Sequence, residues 1–390
     1  MNVIGERDVR TLAARSDVIV VGSNDLLTPN ARDLVAQLGL RIVSEPIETA
    51  PPNAPDHGTA VRRVLLRRSP KWVAPEPTTA AKAKPFARVA MVGCGAVGAA
   101  AAHMVAATEA ATDLTIVDLV PGLAASTALD IEHASGITGS PTRCAGGETM
   151  DLVAGADVVV VTAGSPRSPG MSRADLRDIN AKVIKGVAAA VEEFAPNAVL
   201  IVVTNPLDEM TYEAYRSTDL PRERVLGMAG TLDSSRFRWA LATAAEVHPR
   251  DVSAFTLGSH GDEMVPILSL ATIRGRPVEE VLDPDAIERC VQETVGGGGR
   301  IVALRRTGSA SIAPAHSIVE ILDAMRGAIQ GPIPVSVVLE GEYGISDVVV
   351  GVPVQLGRGG LEKVVELPLT PSELAMLQGA ASVVKERLVQ

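Results

Sequence analysis

The chain has 390 residues, a formal net charge of −10, and a composition that is 46% hydrophobic but only 2% aromatic. So much aliphatic material excludes disorder throughout, and an acidic chain with few stacking platforms argues against nucleic acid as a partner. No run of about 18 apolar residues is present, the length a membrane-spanning helix needs.

Residues 1–45 read as a small α/β unit. A strand is expected over 17–21. Thr28 caps a helix that has Pro29 at its first position and runs to Leu38, where Gly39 stops it. A second strand follows over 41–44. The first ten residues hold Glu6 and Asp8 and no apolar core, so no secretory signal is expected. Cys94, Cys144 and Cys290 lack metal-like or disulfide-like spacing, so no metal site is expected and a reducing cytoplasm fits best.

Residues 46–86 read as a linker, with eight prolines between 46 and 85. Charge concentrates here: residues 59–88 hold eight Lys/Arg against the single acid Glu76, a local net charge of +7. Within it, TAVRRVLLRR (59–68) places Val61, Val64 and Leu65 on one helical face with arginines around the rest. Such a helix either packs on its own protein or docks on a partner.

From residue 87 the pattern becomes regular. Strands are expected over 88–92, 114–118, 157–162 and 198–204, with helical stretches between them. Aliphatic strands alternating with Ala-rich helices predict an α/β fold: a Rossmann-type doubly wound parallel sheet over 87–232. An α+β catalytic domain over 233–390 follows, with antiparallel strands such as 347–354. The four glycines 296–299 read as a flexible segment with no assigned role.

Gly93-Cys94-Gly95-Ala96-Val97-Gly98 follows the first of these strands and opens a helix. A tight turn needs Gly93, close approach of a pyrophosphate needs Gly95, and helix–strand packing needs Gly98. The helix N-terminus, from Ala96 and Val97 on, would offer its N–H groups to phosphate. Asp118 ends the next strand, 20 residues beyond Gly98, where a carboxylate would accept from ribose hydroxyls and repel a 2′-phosphate. NAD is therefore expected in preference to NADP.

Further motifs follow in order. Arg167 and Arg173 lie six apart in SPRSPGMSR, a loop suited to closing over an anion. Thr204-Asn205-Pro206 ends a strand at the carboxyl edge, where α/β proteins bind ligands. Asp233 and Arg236 stand three apart in LDSSR, and His260 lies between glycines in GSHGD, in a turn and not on a helix face.

As a set, GCGAVG, TAGSPRSPGMSRADL, VTNP, GTLDSSRFR, GSHGDEMVP, LEGEYG and VGVPVQLGRGG resemble the lactate/malate dehydrogenase superfamily over roughly the last 300 residues. Within it the chain is most similar to the malate dehydrogenases that share the lactate dehydrogenase architecture. The resemblance implies reversible hydride transfer between (S)-malate and NAD. It makes His260 the general base, Asp233 the partner that fixes its tautomer, and Arg236 the grip on the substrate's C1 carboxylate. Arg173 would polarise the C2 oxygen and Asn205 would hydrogen-bond it. Asn180, Val203 and Asn205 match cofactor-contacting positions.

Arg167 carries the substrate choice. Relatives that reduce pyruvate have glutamine there, and those that reduce oxaloacetate have arginine, which neutralises the second carboxylate. Ser168 departs from the lysine common beside it. Ala310, in a substrate-facing motif, is compatible with malate. The alternatives are a lactate dehydrogenase of the same fold and an inactive scaffold protein whose extension carries the function. Segment 27–42 resembles a short stretch on some enzymes of bacterial microcompartments, which implies a shell protein as partner of residues 1–86. A homo-oligomer, tetramer or dimer, is the family's expectation.

Overall fold

Aliphatic runs become the central strands, and their order places the site. A computed structural model describes residues 83–165, 173–306 and 308–389 continuously. Before them it describes 29–44, the segments 3–4, 18–21 and 26–27, and the single residues 9 and 13. Arg167, Ser168 and the basic segment 59–68 lie outside the described residues. The chain divides into two compact units, Met1–Thr78 and Thr79–Gln390.

In the first unit, β1 (Val3–Ile4) pairs in parallel with β3 (Leu26–Leu27), and β2 (Val18–Val21) with β4 (Arg41–Ser44). Helix α1 (Pro29–Gln37) precedes β4. Ala31, Leu34 and Val35 of α1 form a small core with Val9. The helix ends as the sequence predicts. Gly39 takes φ +66°, its N–H reaches Ala36 O at 3.2 Å, and the Leu40 N–H reaches Val35 O at 3.1 Å. Those two bonds make a Schellman stop, satisfying carbonyls the helix end would otherwise leave open.

The second unit is built on one continuous mixed sheet. Its strands are β5 (Phe86–Val92), β6 (Ala111–Val117), β7 (Arg143–Gly147), β8 (Val158–Val161), β9 (Val199–Val202) and β10 (Val225–Gly227), then β12 (Thr256–Gly258), β13 (Met264–Pro266), β16 (Ile333–Glu340), β17 (Ser346–Gly357) and β18 (Gly360–Val364). The spatial order is β13-β12-β17-β16-β10-β9-β8-β5-β6-β7, with β18 on β17. The six strands from β10 to β7 are mutually parallel. From β16 onward the pairing is antiparallel. Short strands β11 (Val252–Ser253), β14 (Thr272–Ile273) and β15 (Arg276–Pro277) form a separate three-stranded sheet.

β8 (VVVV) and β9 (VLIV) are buried at every position. A strand covered on both faces needs such a run, where a half-exposed strand would alternate. Helices cover the sheet: α2 (Ala96–Ala107), α3 (Leu123–Thr138), α4 (Arg173–Phe194), α5 (Leu207–Arg216), α6 (Gly230–Ala244), then, beyond α7 (Pro284–Arg305), which packs on α6, also α8 (Ile312–Met325) and α9 (Pro371–Val389). Strand order reverses between β5 and β8, and the crevice beyond the carboxyl ends of those two strands is where such a sheet binds its ligand.

Strand bounds shift from expectation, with β6 starting three residues early at Ala111 and β9 confined to Val199–Val202, and two departures have a visible cause or consequence. β5 starts two residues early because its first ring is held: the Arg358 guanidinium lies 4.4 Å over Phe86 and donates to the carbonyls of Lys84 and Pro85. The glycines 296–299, read as flexible, run through the middle of α7. Their role becomes visible at the site.

Candidate active site

The nucleotide end of the crevice is shaped by missing side chains. Gly93 turns the chain out of β5 with φ +100°, and a Cβ there would lie 2.5 Å from Ala163 N. A Cβ on Gly98 would lie 1.9 Å from Gly93 O, so glycine alone lets α2 approach the turn. Gly95 differs: nothing in the protein lies within 4 Å of its Cβ position. Packing does not demand that glycine, and the open space above it fits close approach of a pyrophosphate. Gly95 caps α2 without a side-chain hydrogen bond, which leaves the first-turn N–H groups of Ala96 and Val97 without a capping side chain, the arrangement that suits a phosphate.

Asp118 follows β6 and leans over this turn. Its carboxylate accepts from the Cys94 N–H at 2.6 Å and the Val120 N–H at 2.9 Å. It is half-exposed, so lone pairs remain for ribose hydroxyls. The Cys94 thiol donates to Thr127 Oγ1 at 3.2 Å, and burial holds it protonated by raising its pKa. On the other side of the crevice, buried Asn180 brackets two loops. Its Oδ1 accepts from the Ser165 N–H at 2.8 Å, and its Nδ2 donates to the carbonyls of Asn205, at 2.6 Å, and Ser165, at 3.2 Å. Asn180 therefore shapes the site through the backbone it holds. Val203 is buried just past β9, while Asn205 is exposed and precedes a cis proline.

The reacting end is organised by one carboxylate. Asp233, in the first turn of α6 and 2% exposed, places Oδ2 2.8 Å from His260 Nδ1 and Oδ1 2.8 Å from a terminal nitrogen of Arg236. The i, i+3 spacing puts Asp233 and Arg236 on one helix face. His260 comes from the loop between β12 and β13, 27 residues away. Because a carboxylate accepts, Nδ1 carries the proton and Nε2 is left with its lone pair. Burial opposes protonation of the ring, but the charges of Asp233 and Asp208 outweigh it and hold the His260 pKa above its usual value.

Asp208 is a member of this cluster that sequence reasoning missed. It sits fully buried in the first turn of α5, where its Oδ2 accepts from the His260 backbone N–H at 2.8 Å and its Oδ1 from Ser336 Oγ at 3.0 Å. Burial pushes its carboxyl up to about 6, against the lowering by the His260 N–H. In sequence an acid there reads as an ordinary helix N-terminal residue. Only the tertiary fold brings it beneath the histidine.

The glycines of α7 form the wall behind Arg236. A Cβ on Gly297 would lie 3.4 Å from Arg236 Cδ, and one on Gly298 3.6 Å from a terminal nitrogen, while Gly296 and Gly299 face open space. The structure thus brings together His260, Asp233 and Arg236. Gly93, Gly95, Ala96, Val97, Gly98, Asp118, Asn180, Val203 and Asn205 lie along the carboxyl edge of the parallel strands. Arg173 opens α4.

Residues 87–227 match the family model described as the lactate/malate dehydrogenase NAD-binding domain, and 230–390 match that of its alpha/beta C-terminal domain. Among curated proteins, malate dehydrogenase 1 of Anaeromyxobacter dehalogenans is 42% identical over 305 residues, 78% of this chain and 97% of that protein. Malate dehydrogenase of Trichormus variabilis is 45% identical over 301 residues, covering 77% and 93%. Among solved structures, the malate dehydrogenase of Cryptosporidium parvum superposes with a TM-score of 0.75 at 35% identity, covering 78% of this chain and 98% of that one. That organism's lactate dehydrogenase, solved with lactic acid and nicotinamide adenine dinucleotide, gives the same TM-score at 33% identity over the same shares.

Proposed function

The chain belongs to the lactate/malate dehydrogenase family and is an NAD-dependent 2-hydroxy acid dehydrogenase; on that premise we propose that its substrates are (S)-malate and oxaloacetate. The observation that carries the chemistry is the double role of Asp233, one carboxylate holding both His260 and Arg236. Bound NAD supplies the acceptor for the hydride that leaves C2 of the hydroxy acid, and NADH returns it.

The chain's residues do the rest. Arg236 grips the C1 carboxylate with the guanidinium edge that Asp233 leaves free. That grip turns the C2 hydroxyl toward Nε2 of His260, which takes its proton as general base. Asp233 fixes the tautomer beforehand and stabilises the imidazolium afterwards, in a site where burial makes the pairing count. Asn205 hydrogen-bonds the C2 oxygen, and Arg173 polarises it as it becomes a carbonyl. Malate oxidation needs neutral His260 and so rises with pH; oxaloacetate reduction needs the imidazolium and so falls with pH.

Arg167 supports malate over lactate. A guanidinium facing a methyl group would stay unpaired, whereas a second carboxylate satisfies it. The relatives named malate dehydrogenase at 42–45% identity support the same reading. Arg167→Gln tests it: the preference between oxaloacetate and pyruvate should reverse, and a variant that still favours oxaloacetate overturns this assignment.

The domain reading extends this: 87–232 binds NAD, 233–390 carries the base and the carboxylate grip, and the enzyme works in the cytoplasm as a homo-oligomer, dimer or tetramer. Residues 1–86, with the basic segment 59–68, act as a recruitment tag for the shell of a bacterial microcompartment. Support lies in coverage, since the matched relatives account for 77–78% of this chain. Co-purification with shell proteins should vanish when residues 1–82 are removed, and association that persists would sink this reading.

A further inference from the structure

Three charged residues that the hydride-transfer chemistry does not use meet at the end of α9. Arg177, in the second turn of α4, donates from Nη1 to the backbone carbonyl of Arg387 at 2.9 Å. Arg387 lies in the last turn of α9, and its guanidinium pairs with the Glu263 carboxylate. Glu263 is three residues beyond His260, in the same β12–β13 loop. Glu263 packs beside Gly261, whose Cβ position lies 3.6 Å from Glu263 Oε2, an ordinary contact distance.

Each link has a physical reason. The last carbonyls of a helix lack intrahelical donors and carry the negative end of its dipole. Arg177 supplies a cation and a donor there from another helix. The Arg387–Glu263 pair is largely buried, and Glu263 Oε2 and Arg387 Nη1 are buried without a hydrogen-bond partner. A half-satisfied buried ion pair is a poor way to stabilise a fold. Nor does α9 need it to stay attached, because Leu377, Ala380, Ala381 and Val384 already bury its inner face.

We propose that Arg177, Arg387 and Glu263 form a strut through the end of α9 that sets the position of the His260 turn relative to the first turns of α4. This rests on the reading of His260 as the base and of Arg173, at the head of α4, as the group that polarises the C2 oxygen. Those two groups must meet one oxygen atom from opposite elements. The strut joins the elements by a route of 210 residues in sequence between Arg177 and Arg387, independent of the sheet. All three members are positioning residues, since none touches the substrate in this arrangement.

The test is a double-mutant cycle on the full-length protein with Arg177→Ala and Glu263→Gln, assayed well below the melting temperature. Each single change should lower kcat for malate oxidation about tenfold, the scale of a lost charge-assisted hydrogen bond and a displaced base. The KM for NAD should stay unchanged, because the glycine turn is not part of the strut. The double variant should lose little beyond the worse single, and Arg177→Lys should recover most of the loss. Substrate deuterated at C2 should show a larger isotope effect in both singles, which a loss of stability alone does not produce. Kinetics near wild type, or losses that multiply independently, overturn the proposal.

A second readout needs no turnover. Hydrogen exchange across 258–263, the His260 amide included, should quicken in Arg177→Ala at unchanged melting temperature; unchanged exchange there also overturns the strut. A wild-type protein inactive on malate and lactate overturns the base assignment instead, and the exchange measurement still decides the strut.

Discussion

Asp233→Asn removes one charge from the atom pair on which the chemistry depends. Asp233 is 2% exposed and bonds two partners at 2.8 Å each. An asparagine fits the space but offers one acceptor where the carboxylate offers two. If its oxygen stays on Arg236, its NH2 faces His260 Nδ1 and favours the opposite tautomer, which puts a proton on the nitrogen that must accept one. Breaking one side of a buried ion pair costs about 3–5 kcal/mol, or a factor of about a hundred to a few thousand in kcat. The pH profile must move as well. Burial lowers the His260 pKa and Asp233 is the largest influence opposing it, so the acid limb of the surviving malate oxidation shifts to lower pH. Steady-state kinetics in both directions between pH 5 and pH 10 check this. Oxaloacetate reduction at neutral pH should suffer more than malate oxidation, because it needs the imidazolium. A variant within about fivefold of wild-type kcat, with an unmoved acid limb, would refute the argument.

Asp208→Asn should alter how stability depends on pH. The folded carboxyl titrates at about 6 against an ordinary 3.8, so the native protein keeps a proton that the unfolded chain releases. Stability from this group is therefore full below pH 3.8 and is lost as pH rises through 6, a change of about 3 kcal/mol. Melting temperatures across that range should show wild type losing ground to the variant as pH rises; a constant difference would contradict it. Gly298→Val should raise the KM for the acid substrate several-fold by crowding Arg236, while Gly299→Val, with the same change in helix propensity but open space beside it, should not. Equal effects at the two positions would mean the glycines serve only the helix. Removing residues 1–82 should leave kcat/KM for malate within about twofold of wild type. A cut extended through residue 86 should lower the melting temperature, because Arg326 bonds the Ala83 carbonyl and Arg358 holds residues 84–86.

The parallel half of the sheet was legible because β8 and β9 are unbroken aliphatic runs, which only a doubly covered strand requires. β7 was not, since RCAGG holds one arginine and two glycines at a half-exposed edge, and the three residues of β10 are too short to show a period. Gly93 and Gly98 were legible because backbone sterics demand glycine at each. The same residue misled at 296–299. Poor helix propensity was overridden there by the ends of a 22-residue helix and by the Arg236 side chain against which its middle packs. His260, Asp233 and Arg236 could be named from their motifs. Asp208, 52 residues from His260, and the Arg177–Arg387 link had no local signature, because their roles exist only across the assembled fold.

Initial rates of NADH oxidation with oxaloacetate and with pyruvate, on the full-length protein, decide whether the enzyme's substrate carries a second carboxylate. A kcat/KM at least about a hundredfold higher for oxaloacetate is expected, the scale set by leaving a charged, desolvated partner unpaired. A preference for pyruvate would contradict it.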